Sequence, residues 1–258
     1  MNLRLPAPAA SALRAIVTAA VLLSAWWLGI KLFGPPPFIL PGPERVFAAI
    51  LKNHVYLFDN ALVTLQEILL GLLAGTVLGV SAALLVASSE TMRRWLLPLL
   101  VLSQVLPVFA IAPLLVVWFG YGLASKIVMT TIIIFFPITS AFQDGLRRTD
   151  PGLLDLARLH GASRLQTLSL LKVPSALPSL ASGLRVAIAA APIGAVVGEW
   201  VGASSGLGYV MLNANARAQT DVLFAALLIL GLVAAVLWFT LDAALARLIP
   251  WSDDRRPS

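Results

Sequence analysis

TDPGLLDLARLHGASRLQTLSLLKVPSALP, residues Thr149 to Pro178, is the longest polar interruption in an otherwise mostly apolar chain. Asp150 followed by Pro151 predicts a helix start, with a side-chain acceptor for free backbone N–H groups and then a residue that needs no N–H. Leu153, Leu154 and Ala157 give that helix an apolar face, and Asp155 and Arg158 a polar one. Gly161 is expected to end it. Ser163 and Gln166 stand at capping-box spacing and start a second short helix. Val173-Pro174 and Pro178 are expected to close that second helix. A short, capped, amphipathic element between two membrane spans is built to be gripped by something in water.

The rest of the chain says why membrane spans flank it. Of 258 residues, 59% are hydrophobic and 12% charged, against about 45–50% and about 25% in soluble domains. The excess apolar surface needs lipid as solvent, so the expected fold class is an all-α membrane protein. Six spans are expected, each near the roughly 20 residues that a bilayer core requires: Leu13–Phe33, Ala61–Ala87, Leu96–Phe119, Ser125–Phe142, Leu180–Trp200 and Val222–Leu248. The first runs into Lys31 without an A-x-A cleavage site and is read as retained. Gly34 to Pro43, GPPPFILPGP, cannot be helix. Glu44–Asn60 reads as a short surface helix outside the membrane, and Gly120-Tyr121-Gly122 as a tight turn between the third and fourth spans. Residues 1–60 thus form an N-terminal segment with one span and an external loop. Residues 61–248 form the transmembrane domain, and residues 249–258 a cytoplasmic tail.

Basic residues set the orientation. With the N-terminus inside, twelve Lys and Arg lie inside and five outside (Lys31, Arg45, Lys52, Lys126 and Arg217), and Arg185 lies within the fifth span. Both termini and the amphipathic loop are then cytoplasmic. The formal charge of +6 is explained by topology and calls for no nucleic-acid partner.

Inside the spans, Gly71, Gly75 and Gly79, and again Gly194, Gly198 and Gly202, repeat one turn apart, a spacing that lets backbones approach closely. They are packing contacts or, on a functional reading, contacts along which helices slide. Pro98, Pro107 and Pro113 interrupt the third span around Ser103 and Gln104. This is either a kinked packing helix or a wall of a solute path with Ser103, Gln104 and Pro107 on it. Glu199 is read as a helix-end carboxylate in water or as a group facing an outer vestibule. Asn213, Asn215, Arg217 and Gln219 make a polar outer segment, a surface helix or a docking site. Intramembrane charges are costly. Glu67, Arg185 and Asp242 are placed at interfaces: Arg185 snorkels, Asp242 pairs with a cytoplasmic Arg, and Glu67 sits near the outer end of its span.

The opening stretch resembles the cytoplasmic loop of importer permeases of the ABC superfamily, E-A-A-x3-G-x9-I-x-L-P. Asp155, Leu156 and Ala157 fall at E-A-A, Gly161 at the glycine, and Leu171, Val173 and Pro174 at I-x-L-P. PVFAIAPLLVVWFGYG (Pro107 to Gly122) and SGLRVAIAAAPIGAVVGEWVGASSGLGYVM (Ser182 to Met211) resemble permeases for sulfonates, taurine, nitrate and pyrimidines, and the second run looks most like those for hydroxymethylpyrimidine. The resemblance implies a type I ABC importer permease fold of six transmembrane helices with a cytoplasmic coupling helix. It implies a bacterial inner-membrane location and a permease pair, expected to be a homodimer. It also implies two cytoplasmic ABC ATPase subunits, an external solute-binding protein, and inward transport of a small organic solute by alternating access. Asp155, Leu156, Ala157, Gly161, Leu171, Val173 and Pro174 would be the ATPase-coupling residues.

Other chemistry fits poorly. None of the four lysines follows a glycine, so the Walker A device is missing. ATP would be used by the partner subunit, and no cofactor is expected on this chain. Gly202 to Gly206, GASSG, matches G-x-S-x-G in letters only, because both histidines precede Ser204 and no sheet is expected. Neither His54 nor His160 has a second ligand at metal spacing. A stand-alone secondary transporter or channel would call for central ionisable residues or inverted repeats.

Overall fold

The computed structural model describes residues 7–105 and 107–251, with the side chains of 7–16, 104 and 105 left out of the description. Among the described residues all regular structure is helical. The elements are α1 (Ala7–Phe33), α2 (Pro43–Lys52), α3 (His54–Ser88), α4 (Glu90–Val105), α5 (Val108–Phe119) and α6 (Leu123–Arg147). They continue with α7 (Pro151–Leu159), α8 (Arg164–Gln166), a π-helical turn (Thr167–Lys172), α9 (Val173–Gly202), α10 (Leu207–Ala216) and α11 (Thr220–Leu248). Four helical runs are long and apolar enough to cross a bilayer: α3, α6, Arg164–Gly202 and α11. A fifth crossing is available if α4 and α5 together make one. The first expected span corresponds to α1.

The bundle is organised on α6, with α3 along one side and α9 along the other. The tandem glycines make this possible. A Cβ at Gly71 would lie 2.5 Å from Thr130, and one at Gly75 2.7 Å from Ile134. On α9, a Cβ at Gly194 would lie 2.6 Å from the Thr130 backbone. Thr130 is therefore held between two glycines on two helices. Removing those side chains lets three backbones close on one another, where van der Waals packing carries association in lipid. Ile68, Ile134, Ile138, Ala187, Ile188 and Ala191 fill the middle of this sandwich. At the end where α10 lies, α2 and α10–α11 pack on Leu57 and Ala61, and Trp26 of α1 stacks on Phe224 with ring centroids 6.0 Å apart.

Several expected boundaries move. Glu44–Asn60 is not one surface helix. α2 stops at Lys52, Asn53 caps it, and α3 starts at His54, so 54–60 belong to the spanning helix. The third expected span is two helices at 100° to each other. Pro107 sits between them at φ −62°, ψ 117°, as the residue before α5. Its ring disfavours helix in the residue ahead of it. Val173-Pro174 and Pro178 do not close a helix either, because the chain runs helical from Arg164 to Gly202. The π turn explains why: Val173 N–H donates to Leu168 O, five residues back. That wider turn makes room for the Pro174 ring, which would strike the carbonyl four residues earlier in a regular α-helix. The Gly34–Pro43 stretch is non-helical up to Gly42, with a turn in which Ile39 N–H donates to Pro36 O.

Candidate functional site

At one end of the bundle, the connection between α6 and α9 carries a short helix, α7. Asp150 Oδ1 accepts from Gly152 N at 2.7 Å and caps α7, with Pro151 in the first turn. Gly161 stops it at φ +69°, a conformation that L side chains rarely adopt. There Gly161 N–H donates to Arg158 O, and Ala162 N–H to Ala157 O. Ser163 and Gln166 close the expected capping box reciprocally.

The α7 residues divide by face. Ala157 is buried against the bundle. Leu153, Leu156 and Leu159 stand exposed, Leu159 at 84%. Asp155 pairs with Arg158 at 2.7 Å on the open side. Leu171, Val173 and Pro174 are half-buried in and just after the π turn. A cleft of about 730 Å³ separates α7 from the end of α3, lined by Ala87, Ser88, Leu154, Arg158, Leu165 and Lys172 among others. The seven sequence-matched residues thus lie along one hook-shaped connection, α7 and the first turns of the long helix behind it. An amphipathic hook this small, with three bare leucines, can hold a complementary groove and pass a push straight into α9.

At the opposite end lies a second polar assembly that the sequence hid. Asn60, Thr64 and Glu67 of α3 form one stripe at i, i+4 and i+7, all buried. Asn60 Oδ1 accepts from Gly206 N at 2.7 Å. Thr64 Oγ1 accepts from Leu207 N at 2.8 Å and donates to Glu199 Oε1 at 2.6 Å. Glu199 Oε2 accepts from Gly208 N and Tyr209 N. The four backbone N–H groups that open α10 are thereby satisfied by three side chains from two other helices, a requirement every helix start must meet. Gly206 sits at φ +108°, and a Cβ there would collide with the Glu199 carboxyl. Lys126 Nζ donates to Tyr121 O, Gly122 O and Gly202 O at 2.8, 2.9 and 2.9 Å, tying the α5–α6 turn to the end of α9.

These positions bear on four expectations. Glu199 is 1% exposed, neither a solvated helix-end group nor one on an open vestibule. Glu67 lies toward the expected end of its span but is equally buried, packed between helices. Lys126, counted on the outer side, is at the same end as the α9–α10 corner and buried inside the bundle. Arg185 and Asp242 pair with each other at 2.7 Å between α9 and α11, so Asp242 does not rely on a loop arginine. The polar stripe on α3 was the missed signal: three polar residues at helical spacing inside an apolar span. Of the path candidates, Ser103 is half-buried and donates to Leu100 O at 2.7 Å, Pro107 is exposed, and the Gln104 side chain lies outside the described residues. Arg255 and Arg256 of the tail also lie outside them, while Ile249 packs on Ala181 and Leu245. Asn215, Arg217 and Gln219 are exposed at the end of α10, and Asn213 is half-buried. GASSG is a helix–bend–helix corner, which cannot form a nucleophile elbow.

Residues 75–253 match the family described as "Binding-protein-dependent transport system inner membrane component". The chain belongs to this family. It is a multi-pass transmembrane permease subunit of an ABC importer, a transport subunit and not an enzyme. A Haemophilus influenzae protein named "Probable ABC transporter permease protein" is 51% identical over 93% of this chain and 98% of its own length. The formylaminopyrimidine transport permease protein ThiX of Halalkalibacterium halodurans is 38% identical over 90% of this chain and 92% of its own. The taurine transport system permease protein TauC of Escherichia coli is 32% identical over 92% and 88%. In fold, the permease resembles a chain of the MetNI methionine ABC transporter in an inward-facing conformation, with a TM-score of 0.68 at 20% identity over 77% of this chain and 98% of that one. The permease therefore has the type I importer fold that the loop motif implied.

Proposed function

We propose that this permease, as a pair of identical subunits in a bacterial inner membrane with both termini cytoplasmic, carries a small pyrimidine-like heterocycle inward by alternating access. A periplasmic or external binding protein delivers the solute, and a pair of cytoplasmic ABC ATPases does the work. ATP is bound by those partners and this chain binds no cofactor. α7 seats in a groove of the ATPase through Leu153, Leu156 and Leu159. Closing of the ATPase pair moves the hook, and α6 and α9, joined to it at either side, change the opening of the solute path. Coupling of this kind needs two discrete packings biased by nucleotide and loaded binding protein.

The observation that carries the coupling role is the hook itself: a capped nine-residue helix with an exposed leucine face, fixed to a 39-residue helix that traverses the bundle. The solute class rests on the formylaminopyrimidine relative and on charge. Arg185 and Lys126, which lie between helices of the bundle, are both held, by Asp242 and by three carbonyls. Neither is offered to a sulfonate.

Two experiments test these roles. Gly161→Pro fixes φ near −65° where +69° is needed. It should leave membrane insertion intact and abolish co-purification with the ATPase; normal co-purification and uptake would overturn the coupling role. Thermal shift of the cognate binding protein against pyrimidines, taurine, sulfonates and nitrate tests the solute. Stabilisation by taurine or nitrate alone would replace the heterocycle with an anion.

A further inference from the structure

Beside α7, where the ends of α3 and α6 meet the start of α4, lies a cavity of about 310 Å³ that the coupling role does not use. Its wall is basic, and each cation comes from a different element: Arg93 from α4, Arg147 from α6 and Lys172 from the π turn. Glu90 is the one acidic residue among those lining it, and it is shared, at 3.0 Å with Arg93 and 3.6 Å with Arg94. Arg147 and Lys172 have no ion pair among the described residues. Gln143 lines the same cavity. It is 7% exposed, and its amide has no hydrogen-bond partner among the described residues. Buried amides are ordinarily bonded, and this one turns a free N–H donor to the cavity. Like charges from three elements facing one space repel one another, and an anion between them turns that repulsion into attraction.

The adjoining surface says what kind of anion. Arg93 and Arg147 also line a second hollow of about 350 Å³, whose other walls are Arg94, Leu97 and Pro98. On the same helix Trp95 is 73% and Leu99 60% exposed. A free phosphate would need only the basic cavity. A basic cavity beside a bare apolar helix flank, with a tryptophan at the boundary, suits a molecule with a phosphate at one end and hydrocarbon at the other. We propose that the α3–α4 junction and the end of α6 form a binding site for an anionic phospholipid. Its phosphodiester is held by Arg93, Arg147, Lys172 and Gln143, and its acyl chains lie along α4. Guanidinium groups suit that anion because they donate two parallel N–H bonds to phosphate oxygens. The bound lipid ties α4, α6 and the π turn behind α7 together at one point. The site needs only that the α7 end reaches a headgroup layer, whatever the solute.

The test uses the purified full-length permease in a neutral detergent. Native mass spectrometry with added phosphatidylglycerol or phosphatidylcholine counts bound lipid, and thermal unfolding is followed in the same mixtures. Phosphatidylglycerol should bind in preference to phosphatidylcholine and raise the unfolding midpoint. Arg147→Gln combined with Lys172→Gln should weaken that binding by about tenfold and cancel the rise. Arg45→Gln combined with Lys52→Gln removes the same charge from exposed positions at the opposite end and should change neither. Arg147→Gln alone should show a smaller loss, which keeps the test decisive if the double variant folds poorly. The proposal is overturned if the parent binds both lipids alike, if the double variant keeps the preference, or if the control pair loses it too. An equal rise with inorganic phosphate would make this a site for a soluble anion and would overturn the lipid. Loss of ATPase co-purification in the double variant, with lipid binding unchanged, would set these cations against the partner protein and would likewise overturn it. The lipid readouts involve no transport, so their failure is distinct from an error in the solute.

Discussion

Single residues in this permease carry junctions between helices. Gly206 is the clearest case, since its positive φ and its contact with the Glu199 carboxyl both exclude a side chain. Gly206→Ala should cost about 1–3 kcal/mol from backbone strain, together with part of the α10 cap. It should appear as a lower unfolding midpoint of the detergent-solubilised protein; an unchanged midpoint would show that the α10 corner is not under this constraint. Arg185 and Asp242 form the other residue-scale junction. Removing one partner strands a charge in an apolar setting, whereas removing both does not. Arg185→Leu and Asp242→Leu should each reduce the amount of folded membrane-integrated protein, and the double variant should recover most of it. A double variant worse than either single one would mean that the residues act separately.

At the scale of elements, α3 and α9 close on α6 because glycine stands at each crossing. A branched side chain at Gly71 would have to displace Thr130, which is itself pinned by Gly194 from the other side. Gly71→Ile should therefore destabilise by about 1–3 kcal/mol, read as a lower midpoint of thermal unfolding. Gly231 of α11, which has open space around it, is the control and should tolerate alanine. α7 shows how much local signals can specify. Its cap, proline, glycine stop and capping box all stand where their spacing in the sequence puts them, because each works through bonds to residues at most five positions away. Asp150→Ala should weaken the helix by roughly 1 kcal/mol and reduce ATPase co-purification without abolishing it. The prolines after α7 misled for the same local reason. As letters they stop a helix, yet a single widened turn ahead of Pro174 lets the helix pass.

Across the whole molecule, the two ends differ, with the short amphipathic helix α7 at one and the short helix α10 at the other. The chain contains no cysteine, so single cysteines can be read against a clean background. His160→Cys should label with an impermeant thiol reagent only from the cytoplasmic side, and Asn215→Cys only from the outside. Labelling of both from one side would refute the orientation. Much of the described surface between the ends is apolar, with Val17, Leu22, Leu73, Val77, Leu232 and Phe239 all exposed, as expected of helices whose solvent is lipid.

By itself the sequence determined that the chain is a helical membrane protein, roughly where its apolar helices lie, and the cap, glycine stop and capping box around α7. Apolar length, glycine spacing and helix caps act within one or two turns, so they can be read along the chain. Only the tertiary structure decided where Thr64, Lys126, Glu199, Arg185 and Asp242 find their partners. The pairings among these that cross between helices join residues 57 positions apart in Arg185–Asp242, 76 apart in Lys126–Gly202 and 135 apart in Thr64–Glu199. A buried polar group takes whichever donor or acceptor packing brings within about 3 Å, and no spacing in the chain announces which one that is.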